Sequence, residues 1–347
     1  MTNRKTIRML ALLVMITVVV CGAGCNDKGV GAELWPPAME LQTGRDRPMF
    51  VAADETHVYW VEIRVSEDGA PHALYRMPRA GGEPEHVHTQ SLGGIGALAL
   101  DDEGCYLTSS GTLLRYDTAT LELTPFGDVG EGSGLLARDG RLYWWDYDFD
   151  ADLARIHSLR SDGTDPQVIG ARAGRPTGGL GIDASRVYWG SQATGEVLAA
   201  TRAADATEAE VIAEGQCPHG VAVDETHVYW HQDDSGCYLT EGTAVYRAPI
   251  TGAVADPSLV ELVTESAGSL VQGSDGVYYT AWAKLYRATV PEQPEVADYV
   301  DIGCQSQGGW GRCFSPIAML VDALGAVLVG WEGQDPGTGW VFTIPRL

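Results

Sequence analysis

Short runs of alternating apolar and polar residues recur along the chain, and turn residues separate them. The clearest run is Asp-Glu-Thr-His-Val-Tyr-Trp at Asp54–Trp60, which recurs unchanged at Asp224–Trp230 and in a looser form at Asp183–Trp189. Such alternation predicts half-buried β-strands, and the aspartate with its neighbours predicts a tight turn before each one. After the first 25 residues, no stretch shows a sustained helical period.

Seven copies of this unit predict a β-propeller. Aligned on the residue two before the tryptophan, the copies fall at positions 58, 105, 142, 187, 228, 277 and 326. Successive copies are therefore 37 to 49 residues apart, the length of a four-stranded blade. We predict an all-β fold with seven four-stranded blades. Six blades are the alternative, if the residues from Ala318 onward only close an irregular sixth blade.

The two ends of the repeat array predict how the ring closes. The seventh unit ends at its third strand, Trp340–Pro345, and no fourth strand follows. The extended segment Met39–Thr43 precedes the first unit and belongs to none of the seven. If this segment pairs with the last strand, it completes the seventh blade and removes an open sheet edge.

The first 25 residues predict export. Arg4, Lys5 and Arg8 precede the apolar run Met9–Val20, which is too short to span a membrane as a helix and fits a signal peptide. The small residues before Cys25 resemble the lipobox of bacterial lipoproteins, which implies that this cysteine is acylated. We predict a signal peptide over 1–24, a lipidated tether over 25–37 and a propeller over 38–347. The alternative is that the signal peptide is cleaved at a nearby site and the protein is secreted without a lipid anchor.

The Asp-x-x-x-Val-Tyr-Trp strands, each followed by a Tyr-Arg strand and a glycine turn, resemble YWTD-type and related repeats of extracellular β-propellers. They also resemble the exported propeller lipoproteins of bacteria. The resemblance covers residues 38–347 and implies a lipid-anchored propeller in the bacterial cell envelope, in the periplasm or at the cell surface. It implies no particular activity, because propellers serve as binding scaffolds and as enzymes.

Charge and cysteines narrow the function. A formal net charge of −24 argues against nucleic-acid binding, because such a surface repels phosphates. Export to an oxidising compartment favours disulfides. We predict the bonds Cys217–Cys237 and Cys304–Cys313, and we predict that Cys105 is a small buried hydrophobe.

The residues that enter the innermost strands would line the mouth of the central channel. They include one imidazole, that of His219, and no carboxylate, which argues against a hydrolase. Acidic residues alternate through Asp146–Asp152, but Ala151 and His157 stand where a calcium loop of the EF-hand type needs glycine and glutamate. We therefore predict no cofactor and a solvated acidic loop, with weak calcium binding as the alternative.

Aromatic residues outside the repeat, in or near loops of the channel-mouth face, complete the candidate site, because tryptophan and tyrosine recur in binding hot spots. We predict a monomeric platform that binds an envelope protein, a glycan or a small ligand without catalysis. The alternative is a hydrolase or lyase acting on glycans or small metabolites, with a divalent cation held by loop carboxylates such as Asp146, Asp148 or Asp233. The predicted binding residues are Trp145, Asp146, Tyr147, Asp148, His219, His231, Trp282, Trp310 and Trp331.

Overall fold

The computed structural model describes residues 39–45, 47–63, 72–87, 94–118, 120–130, 133–203, 207–214, 217–232, 243–281, 284–288, 299–301, 304–305, 312–313, 318–331 and 339–345. The first half of this part of the chain contains β1 (Met39–Arg45), β2 (Pro48–Ala53), β3 (His57–Ile63), β4 (His72–Pro78), β5 (Glu85–His86), β6 (Ile95–Asp101), β7 (Gly104–Ser109), β8 (Thr112–Tyr116), β9 (Leu123–Asp128), β10 (Ser133–Arg138), β11 (Arg141–Asp148), β12 (Leu153–Arg160), β13 (Gln167–Ala173), β14 (Pro176–Ile182), β15 (Arg186–Ser191) and β16 (Glu196–Thr201). The second half contains β17 (Thr207–Glu208), β18 (Glu210–Glu214), β19 (Pro218–Val223), β20 (His227–Gln232), β21 (Thr243–Pro249), a 3-10 turn (Pro257–Leu259), β22 (Glu261–Ala267), β23 (Leu270–Gln272), β24 (Val277–Ala281), β25 (Lys284–Arg287), β26 (Tyr299–Asp301), β27 (Cys304–Gln305), β28 (Arg312–Cys313), β29 (Ala318–Asp322), β30 (Gly325–Trp331) and β31 (Gly339–Pro345).

These strands form a seven-bladed β-propeller, as the repeat predicts. Blades 1 to 6 are antiparallel sheets that begin at β2, β6, β10, β14, β19 and β23, and blade 7 contains β29, β30, β31 and β1. The short strand β17 adds a parallel fifth strand to blade 3, and β27 with β28 forms a separate two-stranded sheet. The prediction of seven blades is confirmed, and the six-bladed alternative is wrong.

The N-terminal strand β1 closes the ring. It pairs antiparallel with β31, from Met39 opposite Thr343 to Arg45 opposite Gly339, which confirms the predicted outer strand of blade 7. Arg45 also reaches blade 1, where its Nε lies 2.5 Å from Glu62 Oε1. Its guanidinium stands 4.3 Å from the ring centre of Tyr75. The closing strand therefore contacts both blades that flank the seam.

The repeated tryptophan packs between neighbouring blades. Trp230 of blade 5 lies among residues of blade 4 such as Tyr188 and Ile212, and Trp60 of blade 1 lies among residues of blade 7 such as Val327. The period-2 geometry of a strand explains this arrangement, because every second side chain faces the same neighbouring blade. The shared position of these tryptophans in the repeat therefore corresponds to a shared place between two blades.

Cys105 occupies the equivalent of a repeat valine and is fully buried, as predicted. Burial raises the pKa of its thiol, which keeps the sulfur protonated and unreactive.

The repeated aspartate holds the turn into the second strand of its blade. Asp224 Oδ1 accepts hydrogen bonds from the amides of Thr226 and His227, both at 2.7 Å, and Oδ2 accepts one from the Tyr229 hydroxyl at 2.7 Å. Burial alone would raise the pKa of Asp224, but these hydrogen bonds lower it. Asp54 and Asp183 make the same set of bonds, so the predicted structural role of these aspartates is confirmed.

We expect Asp224→Ala to lower the free energy of unfolding by about 2 kcal/mol, because two amides and the Tyr229 hydroxyl lose their acceptor. The matched control is Glu225→Ala, which removes the exposed carboxylate next in the turn and should change stability by less than about 0.5 kcal/mol. Urea unfolding of the two variants checks this expectation. An equal loss in both would contradict the role assigned to Asp224.

Candidate functional site

The face opposite the aspartate turns carries the mouth of the central channel, where loops enter the inner strands. Within the described ranges, His219 is the one predicted mouth residue with an ionisable side chain. The Thr177 hydroxyl donates a 2.6 Å hydrogen bond to the Pro218 carbonyl, which joins the inner strands of blades 4 and 5. The residue before His219 is thereby held by the neighbouring blade.

A bulge interrupts the inner strands at this mouth. The register shifts between His219 and Val221 in β19, and Gly220 between them has a positive φ of +45°. Gly178 occupies the matching position of β14, with a φ of +66°. A Cβ on Gly178 would overlap the Gly220 amide nitrogen, so the two backbones pack together without room for a side chain. This close packing fixes the backbone that carries His219.

Two imidazoles meet just below the mouth. His219 in β19 and His231 in β20 are cross-strand partners. His219 is only 5% exposed, and the Nε2 atom of His231 is buried without a hydrogen-bond partner. Burial, and then the nearby charge of His219, lowers the pKa of His231 to about 4, so this imidazole is neutral at physiological pH.

The acidic loop between β11 and β12 is a hydrogen-bonded turn. Asp148 Oδ1 accepts bonds from the amides of Asp150 and Ala151, both at 3.1 Å, and the Tyr147 hydroxyl donates to Asp152 Oδ1 at 2.5 Å. The Ala151 amide is the main cause of the lowered pKa of Asp148. Among the described residues, no three His, Cys, Asp or Glu side chains are grouped to hold a metal ion. Weak calcium binding at the loop stays a prediction.

Phe149, at the tip of this turn, was missed by the sequence analysis. Its side chain is 59% exposed, although its ring stands edge-on to Tyr147 at 4.8 Å between centres. The Arg175 guanidinium lies 5.7 Å from the centre of the Phe149 ring. The sequence signal that could have identified Phe149 was an aromatic residue within a run of alternating aspartates. The turn therefore presents an exposed aromatic ring that Tyr147 and Arg175 support.

Asp146 stands at the base of the turn. Its Oδ2 lies 3.0 Å from His157 Nε2, and its Oδ1 lies 3.8 Å from the Arg155 guanidinium. The imidazole of His157 is stacked in turn on the indole of Trp144, with ring centres 5.3 Å apart. These neighbours hold the Asp146 carboxylate in place beside the turn.

The structure corrects the prediction that Trp145 lies in or near an exposed loop. Trp145 belongs to β11 and is only 4% exposed, because the alternation of the strand turns its indole toward blade 4. Its Nε1 donates to the Gly178 carbonyl at 3.2 Å. Trp145 therefore supports the mouth from inside instead of offering a binding surface.

Other predicted site residues fall in whole or in part outside the described residues. Trp331 ends β30, and its backbone alone is described. The residues for which neither backbone nor side chain is described are Cys25, Asp233, Cys237, Trp282 and Trp310. Their predicted roles stay predictions.

Three of the four cysteines predicted to form disulfides lie on described backbone. Cys217 lies just before β19, but its predicted partner Cys237 is outside the described residues. Cys304 and Cys313 stand opposite each other across β27 and β28. Both pairings stay predictions. In the described part of the chain, no helix has the length and apolar character needed to cross a membrane.

The aspartate-turn face carries a cavity of about 500 Å³, lined in part by Asp183, Asp224 and Asp275. The Gln272 side chain bonds both the amide and the carbonyl of Ile182, at 3.0 and 2.6 Å, and so links the inner strands of blades 4 and 6. The carboxylates of Asp183 and Asp224 already accept the hydrogen bonds of their turns. The channel-mouth face therefore holds the better candidate site.

Comparison with known proteins supports the fold alone. No family model matches the chain, and no curated protein matches it. The solved structure of a catalytically inactive virginiamycin B lyase from Staphylococcus aureus with quinupristin is 10% identical, with a TM-score of 0.60 over 89% of this chain and 98% of that one. YCF48 bound to D1 peptide is 12% identical, with a TM-score of 0.59 over 91% of this chain and 97% of that one.

A puromycin-hydrolysing peptidase from Mycobacterium tuberculosis also matches, at 14% identity and a TM-score of 0.55. The match covers 92% of this chain but 55% of the peptidase. At these identities the likeness shows a shared propeller fold, which a lyase, a peptidase and a peptide-bound protein all use. The resemblance to YWTD-type repeats stays a prediction at the level of the family.

Proposed function

We propose that this protein is a lipid-anchored propeller of the bacterial cell envelope that binds another envelope protein through its channel-mouth face. In this proposal a signal peptide directs export, Cys25 carries the anchor, and the propeller acts as a monomer. The observation that carries the proposal is the exposed Phe149 ring on the turn Asp146–Asp152.

A supported aromatic ring is a suitable anchor for a protein partner. The hydrogen bonds inside the turn and the contacts with Tyr147 and Arg175 already restrict the ring, so binding loses little additional conformational entropy. Aromatic side chains of this kind often dominate the binding energy of an interface. Phe149 is thus the residue on this face whose truncation should weaken binding most.

The charge around the ring selects the partner. Asp148, Asp150 and Asp152 lie beside Phe149 in the sequence of the turn, and the whole chain carries a formal net charge of −24. A basic surface with an apolar pocket complements this arrangement, and long-range attraction would speed the encounter. We therefore propose a protein with a basic binding surface in preference to a neutral glycan.

The His219–His231 pair favours a second candidate, an enzyme that uses a divalent cation. A hydrolase or lyase would need further polar groups at the mouth, and among the described mouth residues only His219 is ionisable. A lyase and a peptidase share the propeller fold of this chain, so the fold is compatible with catalysis but does not favour a particular reaction. Binding through Phe149 remains the first candidate.

Site-specific photocrosslinking in intact cells tests the binding proposal. A photoreactive phenylalanine analogue at Phe149 should give one discrete protein adduct, and Phe149→Ala should weaken the affinity for that protein at least tenfold. Leu324 is the matched control position, because it is 47% exposed and lies in the aspartate turn of blade 7 on the opposite face. Equal adducts at both positions would overturn the proposal. A crosslink to a glycan instead of a protein would contradict the proposed protein partner and identify a glycan as the ligand.

A further inference from the structure

The imidazoles of His219 and His231 are held together by the register of blade 5. Cross-strand partners in an antiparallel pair have Cβ atoms about 5 Å apart and side chains on the same side of the sheet. A Cβ built on Gly220 would lie 3.9 Å from His231 Nδ1, so the His231 ring stands against the bulge that follows His219. Two independent features, register and ring position, therefore bring the imidazoles side by side.

The surroundings of His231 leave a polar atom without a described partner. Val245 is the cross-strand neighbour of His231 in β21, and this side of the blade packs with Ala222 and Tyr229 against apolar residues of blade 6. The Nε2 atom of His231 is buried and makes no hydrogen bond. An unsatisfied buried nitrogen is costly, and native structures usually explain such an atom by a water, an ion or a functional role.

The donor atoms favour an ion that binds imidazole nitrogen. The Nε2 atom of His231 is buried and makes no hydrogen bond, so this nitrogen is available as a ligand. Zn²⁺, Ni²⁺ and Cu²⁺ bind such nitrogens well, whereas Ca²⁺ and Mg²⁺ require several oxygen ligands. No carboxylate lies among the described mouth residues to serve a hard cation.

We propose that His219 and His231 form a two-imidazole site for a late first-row transition-metal ion such as Zn²⁺, Ni²⁺ or Cu²⁺, bound between blades 5 and 6 beneath the channel mouth. The remaining coordination positions are open to water or to a small ligand. The site uses neither Phe149 nor the acidic turn, so it does not rest on the proposed partner binding.

Metal titration of the full exported chain, stripped with EDTA, tests the site. Calorimetry should detect one high-affinity Zn²⁺ or Ni²⁺ per chain and no comparable binding of Ca²⁺ or Mg²⁺. His219→Gln and His231→Gln should each weaken this binding at least tenfold. The matched control is His227→Gln, because His227 lies on the same strand as His231 but its Nδ1 lies 2.8 Å from the Thr226 hydroxyl. This variant should bind the metal ion as tightly as the wild-type protein.

Electron paramagnetic resonance with one equivalent of Cu²⁺ gives a readout that needs no variant. We expect nitrogen hyperfine coupling from two equatorial imidazoles in the wild-type protein. Coupling from no imidazole or from only one would overturn the proposal, as would an affinity that survives the double variant His219→Gln/His231→Gln. A urea unfolding curve for each variant separates lost metal binding from lost folding.

Discussion

Gly178→Ala should destabilise the propeller by about 3 kcal/mol, although it adds a single methyl group at an exposed position. Gly178 has a φ of +66°, where an alanine is strained by about 1 kcal/mol. The new Cβ would also overlap the Gly220 amide nitrogen and lie 2.8 Å from Gly220 Cα. Both obstacles are backbone atoms, which cannot rotate away, so relief requires blades 4 and 5 to separate. Urea unfolding monitored by tryptophan fluorescence measures the loss.

The next residue supplies the control for this prediction. Gly179 is equally exposed, and a Cβ there would meet no atom within 4 Å. We expect Gly179→Ala to change the free energy of unfolding by less than about 0.5 kcal/mol. If the two variants lost the same stability, a general intolerance of β14 toward side chains, and not the contact with Gly220, would explain the effect.

Gly178→Ala should also weaken any metal affinity of His219, because Gly220 follows His219 directly.

The fold followed from the sequence because the repeat encodes both packing and turns. Val-Tyr-Trp places tryptophan between blades, and the preceding aspartate accepts the hydrogen bonds of its own turn. Even the closure was predictable, since the seventh unit lacked a strand and Met39–Thr43 had no unit of its own. These features depend on residues close together in the sequence.

The site was harder to predict because it depends on register and on strand length. β11 continues through Asp148, beyond the end of the repeat, so Trp145 points into the core and not into a loop. The partnership of His219 with His231 depends on the bulge at Gly220, which the spacing of the two histidines does not reveal. Phe149 became a candidate only once its ring was seen to be exposed while Tyr147 supported it.

The seam of the ring provides the second large effect, which we expect from Arg45→Met. Glu62 is only 2% exposed, and its Oε1 accepts from Arg45 Nε at 2.5 Å and from Trp60 Nε1 at 2.7 Å. Burial alone would lower the pKa of Arg45, but the hydrogen bond and charge of Glu62 raise it, which favours the charged guanidinium. Methionine fills much of the arginine volume without its charge and leaves the Glu62 carboxylate buried and unpaired. We expect a loss of about 3 kcal/mol in the free energy of unfolding.

The double variant Arg45→Met/Glu62→Gln separates charge from packing at the seam. Glutamine can still accept from the Trp60 indole but carries no charge, so the double variant should regain most of the stability that Arg45→Met loses. Arg76→Met is the control for an ion pair whose carboxylate is exposed: Arg76 Nε lies 2.7 Å from Glu85, whose side chain is half exposed, so the loss of the arginine charge should cost about 1 kcal/mol or less. If the double variant were as unstable as Arg45→Met, the contacts of Arg45 with Tyr75 and Trp60, and not the buried charge of Glu62, would be what holds β1 against blade 1.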